Sequence, residues 1–203
     1  MVPVVDERAL IRQSRQGDQR SFERLVALKR DGAFRIAFNI VGDEDDAKDI
    51  AQQSFIRLWS AIAGFDESAP FDPWFSRIVV NLAIDFHRRE KKRIRPVPGD
   101  AEGKAEAADP AAGRLAAADT ETSRREIRRV FEIVAAGLGP VQRAVFTLRE
   151  IEGLDTDQIA AIMEIRPSTV RNHLMQARRK LREALRRRFP EYARDFGPEG
   201  TGR

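Results

Sequence analysis

Apolar residues recur at intervals of three and four in two separate stretches of the chain, and the segment between them has no period at all. That pattern calls for two small helical units, because spacing near 3.6 puts each apolar set on one face of a helix, whereas a strand needs alternation. In the first stretch the set runs Phe22, Leu25, Val26, then Phe34, Ala37, Phe38, Val41, then Ala47, Ile50, Ser54, Phe55, Leu58, Ile62. Gly42-Asp43 and the run from Gly64 to Pro70 interrupt it. Pro73 sits where a first helical turn tolerates it, so a long helix is expected from about Phe71 to Lys92. From Pro96 to Thr122 large apolar residues thin out, and the segment reads as a mildly acidic linker in which Ala111 to Ala118 could form a transient helix.

The period resumes with Ile127, Val130, Phe131 and Val134, stops at Gly137-Leu138-Gly139, and restarts behind Pro140 with Val141, Ala144, Val145 and Leu148 until Gly153. Asp155 then stands three residues before Gln158, a capping-box spacing that opens a short helix with Ile159, Ala160, Ile162 and Met163 on its apolar side. A tight turn at Glu164-Ile165-Arg166 leads to a helix with Pro167 near its start and Val170, Leu174, Ala177 and Leu181 along one stripe. The expected fold is all-α, with two small helical domains at 1–95 and 123–189, a flexible linker at 96–122 and a frayed tail at 190–203.

Composition narrows the function. With no cysteine among 203 residues, a disulfide scaffold and a thiolate metal cage are both excluded, and a reducing, cytoplasmic setting is expected. The mean hydropathy of −0.47 and the lack of any long apolar run point away from membrane insertion or an export signal. The formal net charge is only +4, but the charge is segregated. An acidic knot spans Asp43 to Asp49, while His87 to Arg93 and Arg178 to Arg188 are basic, which suggests two contacts with polyanion. The knot lies where a helix begins, and acids there stabilise the positive end of the dipole without any metal. No nucleophile set, Gly-rich phosphate loop or metalloprotease motif can be assembled, so no catalytic residue, cofactor or metal is expected.

A short helix, tight turn and second helix can lay the second helix in a major groove. Its non-apolar face offers Ser168, Thr169, Arg171, Asn172, Met175, Gln176 and Arg178, which can hydrogen-bond base edges, touch a thymine methyl or pair with phosphate. Arg166 and Arg179 flank that face, and the lone His173 reads as a surface or phosphate-contacting residue. On the long helix Phe75, Ile78, Val79, Leu82 and Phe86 form the core stripe. A second stripe, Trp74, Arg77, Asn81, Asp85, Arg88 and Lys92, suits single-stranded nucleic acid, with Arg89 beside it. Trp74 is expected to be mainly structural, and Arg77, Asn81 and Arg88 carry the nucleic-acid reading better. The loop Phe65-Asp66-Glu67-Ser68 could receive an unstacked base.

Gly42 to Trp59 and Phe71 to Asp85, in order, spacing and residue type, resemble region two of the extracytoplasmic-function sigma factors of bacterial RNA polymerase. Leu138 to Arg143, Glu152-Gly153-Leu154, Ile159-Ala160 and Thr169 to Arg178 resemble region four of the same family. The resemblance implies that Asp49, Gln52, Gln53, Phe55 and Arg57 dock on the clamp helices of the polymerase's largest subunit, and that region four meets the flap of the second largest. It implies that Phe65, Asp66, Trp74, Arg77, Asn81, Arg88, Arg89 and Lys92 read and melt the promoter's minus-ten element. Arg166, Ser168, Thr169, Arg171, Asn172, Met175, Gln176, Arg178 and Arg179 would read the minus-thirty-five element. Partnership with an anti-sigma factor and control of a stress or envelope-response regulon are further implications. The family usually carries glycine in the helix-turn-helix turn, where this chain has Glu164, so the turn must form around a residue with a Cβ.

Sites two duplex turns apart lie about 70 Å from one another. The linker extends to at most about 90 Å and averages about 30 Å as coil. A large partner must therefore hold the modules apart. A stand-alone helix-turn-helix regulator with a ligand-sensing or dimerising first domain is the main alternative on residues alone. A helical hydrolase using the Asp43 to Asp49 acids with magnesium, and an adaptor that sequesters other proteins, stand further off.

Overall fold

A computed structural model describes residues 6–93 and 120–193, and these are helical throughout apart from turns and connecting loops. Four helices form the N-terminal bundle: α1 Glu7–Arg15, α2 Gln19–Val41, α3 Glu44–Ala61 and α4 Phe71–Arg93, with a single 3₁₀ turn at Ile62–Gly64 after α3. Each start has a local cause. Asp6, Asp18 and Asp43 cap α1, α2 and α3 by accepting hydrogen bonds from first-turn N–H groups, which satisfies donors the helix cannot. The Ser21 hydroxyl and backbone amides hold the Asp18 carboxyl below the ordinary aspartate range. Because the folded value is depressed, this cap stabilises above the unfolded carboxylate range and is lost as pH falls through the folded value.

α2 is the spine. It packs against α1, α3 and α4, burying Leu25, Ile36, Ala37 and Ile40 against Ile50, Phe55 and Leu58 of α3 and Phe75, Val79 and Leu82 of α4. Side chains of this kind contribute about 1.5–3 kcal/mol each when fully buried, so this apolar face, more than intrinsic helix propensity, holds the bundle.

The C-terminal domain comprises α5 Thr120–Ala135, α6 Pro140–Phe146, a π-helical turn Thr147–Ile151, α7 Thr156–Met163, α8 Pro167–Arg188 and α9 Pro190–Ala193. The helix α5 begins three residues inside the expected linker. Its first turn, Thr-Glu-Thr-Ser, has no apolar period for a pattern reading to find. The remaining linker, with the expected transient helix at Ala111 to Ala118, and the tail beyond Ala193 lie outside the described residues. The capping box at Asp155 and Gln158 is formed, with bonds of 2.8 and 2.9 Å in the two directions. The widened turn after α6 has no signature in the sequence. It is closed locally, where the Leu154 amide reaches back to the Leu148 carbonyl at 3.0 Å and Arg149 donates to the Leu154 carbonyl at 3.0 Å.

The two domains also share one buried core. α6 and the π turn seat against α2, α6 and α7 seat against α4, and Val145, Leu148, Ile159 and Ile162 join the cluster of the first bundle. A smaller cluster of Ala135, Leu138 and Ala177 lies under α5. At the seam Gly42 adopts φ +85°, which ends α2 and brings its backbone against the Arg143 guanidinium. A Cβ there would stand 3.0 Å from Nη2 of Arg143. Gly42→Ala is expected to cost about 1–2 kcal/mol from left-handed strain alone. Urea unfolding measures it, and an unchanged midpoint would contradict the assignment.

Candidate nucleic-acid and polymerase interfaces

The helix-turn-helix is present, with α7 leading through Glu164, Ile165 and Arg166 into α8. Glu164 does what glycine would do. It takes a left-handed conformation at φ +53°, and the Ile165 amide bonds the Ala160 carbonyl at 3.1 Å. Among the described residues it is the only non-glycine with positive φ. The α8 stripe of Val170, Leu174 and Ala177 is buried, which turns the opposite face outward.

On that face Arg166, Ser168, Arg171, Asn172, Met175, Arg178 and Arg179 are exposed, and Thr169 and Gln176 are half-buried. Met175 is 63% exposed, which is unusual for an apolar side chain and is suited to touching a thymine methyl. Gln176 is tied to Gln142 at 2.7 Å and Asn172 at 3.2 Å, which fixes its amide on the helix surface. Arg178 pairs with Glu150 at 2.5 Å, so this guanidinium is already occupied within the domain. His173 is half-buried.

On α4, Asn81, Arg88 and Arg89 are exposed, and the side chain of Lys92 lies outside the described residues. Trp74 is half-buried, its ring 4.7 Å from Phe65 and 5.9 Å from Phe71. Arg77 pairs with Glu164 of the other domain. Phe65 differs from the expectation of a base-contacting side chain. It is only 4% exposed, in edge contact with Phe71, so it anchors the loop from inside. The exposed part of the loop is Asp66, Glu67 and Ser68. Asp66 accepts from the Ser68 amide at 2.9 Å and hydroxyl at 2.8 Å, bonds that hold its carboxyl below the ordinary range. Glu67 pairs with Arg15 and, at 3.7 Å, with Arg12. The loop is therefore shaped before any ligand arrives.

The third surface lies between α2 and α3. Asp49, Gln52, Gln53 and Arg57 are exposed along α3, while Phe55 is buried against Phe75 with ring centroids 5.1 Å apart. Beside them runs a largely apolar groove of about 790 Å³ whose lining includes Phe22, Val26, Phe34, Gln52, Ile56 and Trp59. Ile56 and Trp59 are 61% and 41% exposed. Neither stands among the contact residues expected from sequence. The signal available was their spacing of three on the same helix, Ile56 one turn and Trp59 two turns beyond Gln52 and Gln53.

Among the described residues no cluster of three metal-ligating side chains forms and no helix is long and apolar enough to cross a membrane.

The profile of sigma-70 region 2 matches residues 25–93, and that of sigma-70 region 4 matches residues 135–181. The RNA polymerase sigma-H factor of Pseudomonas aeruginosa is 30% identical over 191 residues, covering 91% of this chain and 96% of that protein. The chain belongs to the extracytoplasmic-function sigma factors of the sigma-70 family. The ECF RNA polymerase sigma factor SigE of Mycolicibacterium smegmatis is 31% identical to this sigma factor over 183 residues, covering 87% of the chain and 67% of that protein. The probable RNA polymerase sigma factor RfaY of Xanthomonas campestris is 33% identical over 184 residues, 90% of this chain, but the chain spans only 44% of its length. Among solved structures, CnrH in complex with the cytosolic domain of CnrY aligns over 90% of this sigma factor and 98% of that chain, at 25% identity and a TM-score of 0.63. Two matched regions in the family's order account for the four-helix bundle and the helix-turn-helix as one system.

Proposed function

We propose that this chain is a promoter-specificity subunit, which binds core RNA polymerase, directs it to promoters and helps open the duplex, without catalytic chemistry of its own. The observation that carries the reading is one chain holding two different nucleic-acid faces. One is a duplex-reading helix α8, with Arg171, Asn172 and Met175 outward. The other is the exposed stripe of α4, with Asn81, Arg88 and Arg89, suited to separated strands. A regulator that only binds duplex DNA needs the first and has no use for the second. We assign residues 1–95 to region two and 123–189 to region four, with α5 extending the latter back to Thr120.

In this reading the α2–α3 groove receives the clamp helices. An apolar trough beside exposed Asp49, Gln52, Gln53 and Arg57 suits an amphipathic helical pair, with Ile56 and Trp59 as anchors and the polar residues fixing register. Region four would meet the flap. Action in the cytoplasm follows from a polymerase partner, and an anti-sigma factor covering these surfaces fits the relative solved with the cytosolic domain of CnrY.

Association with bacterial core polymerase in size-exclusion chromatography tests the reading. The chain should co-elute with core enzyme, and Ile56→Ala should weaken association by about 2 kcal/mol, as for an anchor residue of the interface. Its fold should be unchanged, because that side chain faces solvent. Failure to co-elute with core enzyme would refute the assignment.

A further inference from the structure

Helix α1, Glu7–Arg15, stands before residue 25, where the match to region two begins, yet it is fastened to the loop that the promoter reading uses. Its buried side, Leu10, Ile11 and Ser14, packs on α2 and on the 3₁₀ turn Ile62–Gly64 that leads into loop 65–70. Its charged side chains reach both ends of that loop. At the C-terminal end of α1, Arg15 donates to the Glu67 carboxylate, and Arg12 stands 3.7 Å from the same group. At the N-terminal end, Glu7 pairs at 2.8 Å with Lys29 of α2, which also pairs at 2.5 Å with Asp72 in the first turn of α4. Lys29 lies 5.8 Å from the centre of the Phe71 ring that packs edge-on to Phe65.

The loop's own bonds close it on itself. Asp66 accepts from the Ser68 amide and hydroxyl, and the Ala69 amide bonds the Asp66 carbonyl at 3.0 Å. Between Phe65 and Phe71, every hydrogen bond or ion pair to another element among the described residues runs through Glu67. Arg12 and Arg15 stand in the last turn of α1, where cations suit the negative end of the dipole, but that does not call for an acid opposite them. Nor does Arg15 swing freely. Its Nε is buried without a hydrogen-bond partner among the described residues, so the guanidinium is seated against the bundle with Nη1 turned to the loop.

The Arg15 and Glu67 side chains are 30% and 42% exposed, and ion pairs this open add little to the stability of a whole domain. A loop held by few contacts is different. It opens at a much lower free energy than the fold, so the same small contribution is a large part of what keeps its shape. Shape in turn decides selection, since a loop locked in one form fits one base and a loose one adapts to several.

We propose, resting on the sigma-factor reading above, that Arg15, with Arg12 beside it, is a positioning residue for promoter opening. Held on α1, it fixes through Glu67 the form of loop 65–70 that accepts an unstacked base, and so sharpens which base is taken.

The test uses the full-length chain and a pool of single-stranded DNA oligonucleotides of randomised sequence, with the bound fraction sequenced. The parent should enrich one base at one position. Arg15→Gln and Glu67→Gln should each weaken that preference about fivefold, because apparent affinity for the fitting base scales with the correctly shaped fraction. Both should act in the same direction, although one removes a positive charge and the other a negative one, and the double variant should lose no more than either single. Arg15→Lys, which keeps the charge, should recover part of the preference. Deuterium exchange of the Ser68 and Ala69 amides should quicken about fivefold in the glutamine variants, with the melting temperature unchanged. A preference unchanged in both variants, shifts of opposite sign, or losses that add would overturn the proposal, as would a parent that enriches no base. Preference lost with exchange unchanged would also overturn it, by making Glu67 itself the reader, and a matching fall in melting temperature would reduce the pair to a part of the fold. Binding and exchange need no polymerase, so a chain that behaves this way yet never joins core enzyme would refute the sigma reading and leave the brace standing.

Discussion

Asn81→Ala is expected to leave duplex minus-thirty-five binding unchanged while lowering promoter opening, and Arg171→Ala to do the reverse first, weakening duplex capture. Each contact of this kind is worth about 1–3 kcal/mol, so each change should cost roughly ten- to hundredfold in its own assay. The expectation follows from placement. Asn81 is exposed on α4, away from the stripe of Phe75, Val79 and Leu82 that holds the bundle, and Arg171 is exposed on α8 opposite Val170 and Leu174. Neither substitution touches the core, so loss of function cannot be confused with loss of fold. Duplex affinity is measured by gel shift at fixed salt, because phosphate contacts make any affinity salt-dependent, and opening by run-off transcription with core polymerase. Equal losses in both assays from either change would contradict the division of labour.

Leu58→Ala is expected to be among the most damaging core changes in the first domain, with Leu25 and Ile40 as deeply buried. Leu58 is fully buried on α3, and truncating such a leucine costs about 2–5 kcal/mol through lost transfer energy and the cavity left behind. Against a total stability of about 5–15 kcal/mol, that is a large fraction of the fold. The same helix carries Gln52, Ile56 and Trp59, so polymerase association should fall along with the melting temperature. Recovery of association on cooling would identify the defect as one of folding. A variant that melts like the parent would show that the α2–α3 core is less tightly packed than the structure has it.

What the sequence made legible was local. The Asp155 and Gln158 cap, the start of α4 at Phe71 and the apolar stripes of α2, α3 and α8 all follow from residues within a turn or two of one another. The outward face of α8 was legible for the same reason, since burying one stripe exposes the other. Phe65 was not, because an aromatic residue in a loop gives no sign of which way it points. Only the packing of Phe71 and Trp74 around it shows that the ring is buried. The π turn at Thr147–Ile151 has no apolar or capping pattern of its own, and the pairing of Arg77 with Glu164 joins residues far apart in the chain. Periodicity also describes each helix but not the docking of one domain on the other, so the shared core and the buried Arg143 emerged only with the fold.

That docking gives physical content to the expectation that the free chain binds promoters weakly. From sequence, the linker is too short on average to span two promoter elements; in the fold, the domains also begin in contact. A partner that binds both domains can offset the cost of parting them, and in the proposed function core polymerase is that partner.

The most direct test is permanganate footprinting of a promoter fragment from the host genome, with core polymerase alone, with this chain alone, and with both. Reactive thymines, the mark of separated strands, are expected only when both are present. They should vanish with Asn81→Ala while duplex protection persists. Opening by core polymerase alone, or tight duplex binding by the chain alone with no opening under any condition, would contradict the promoter-opening role and leave a stand-alone duplex-binding regulator as the better description.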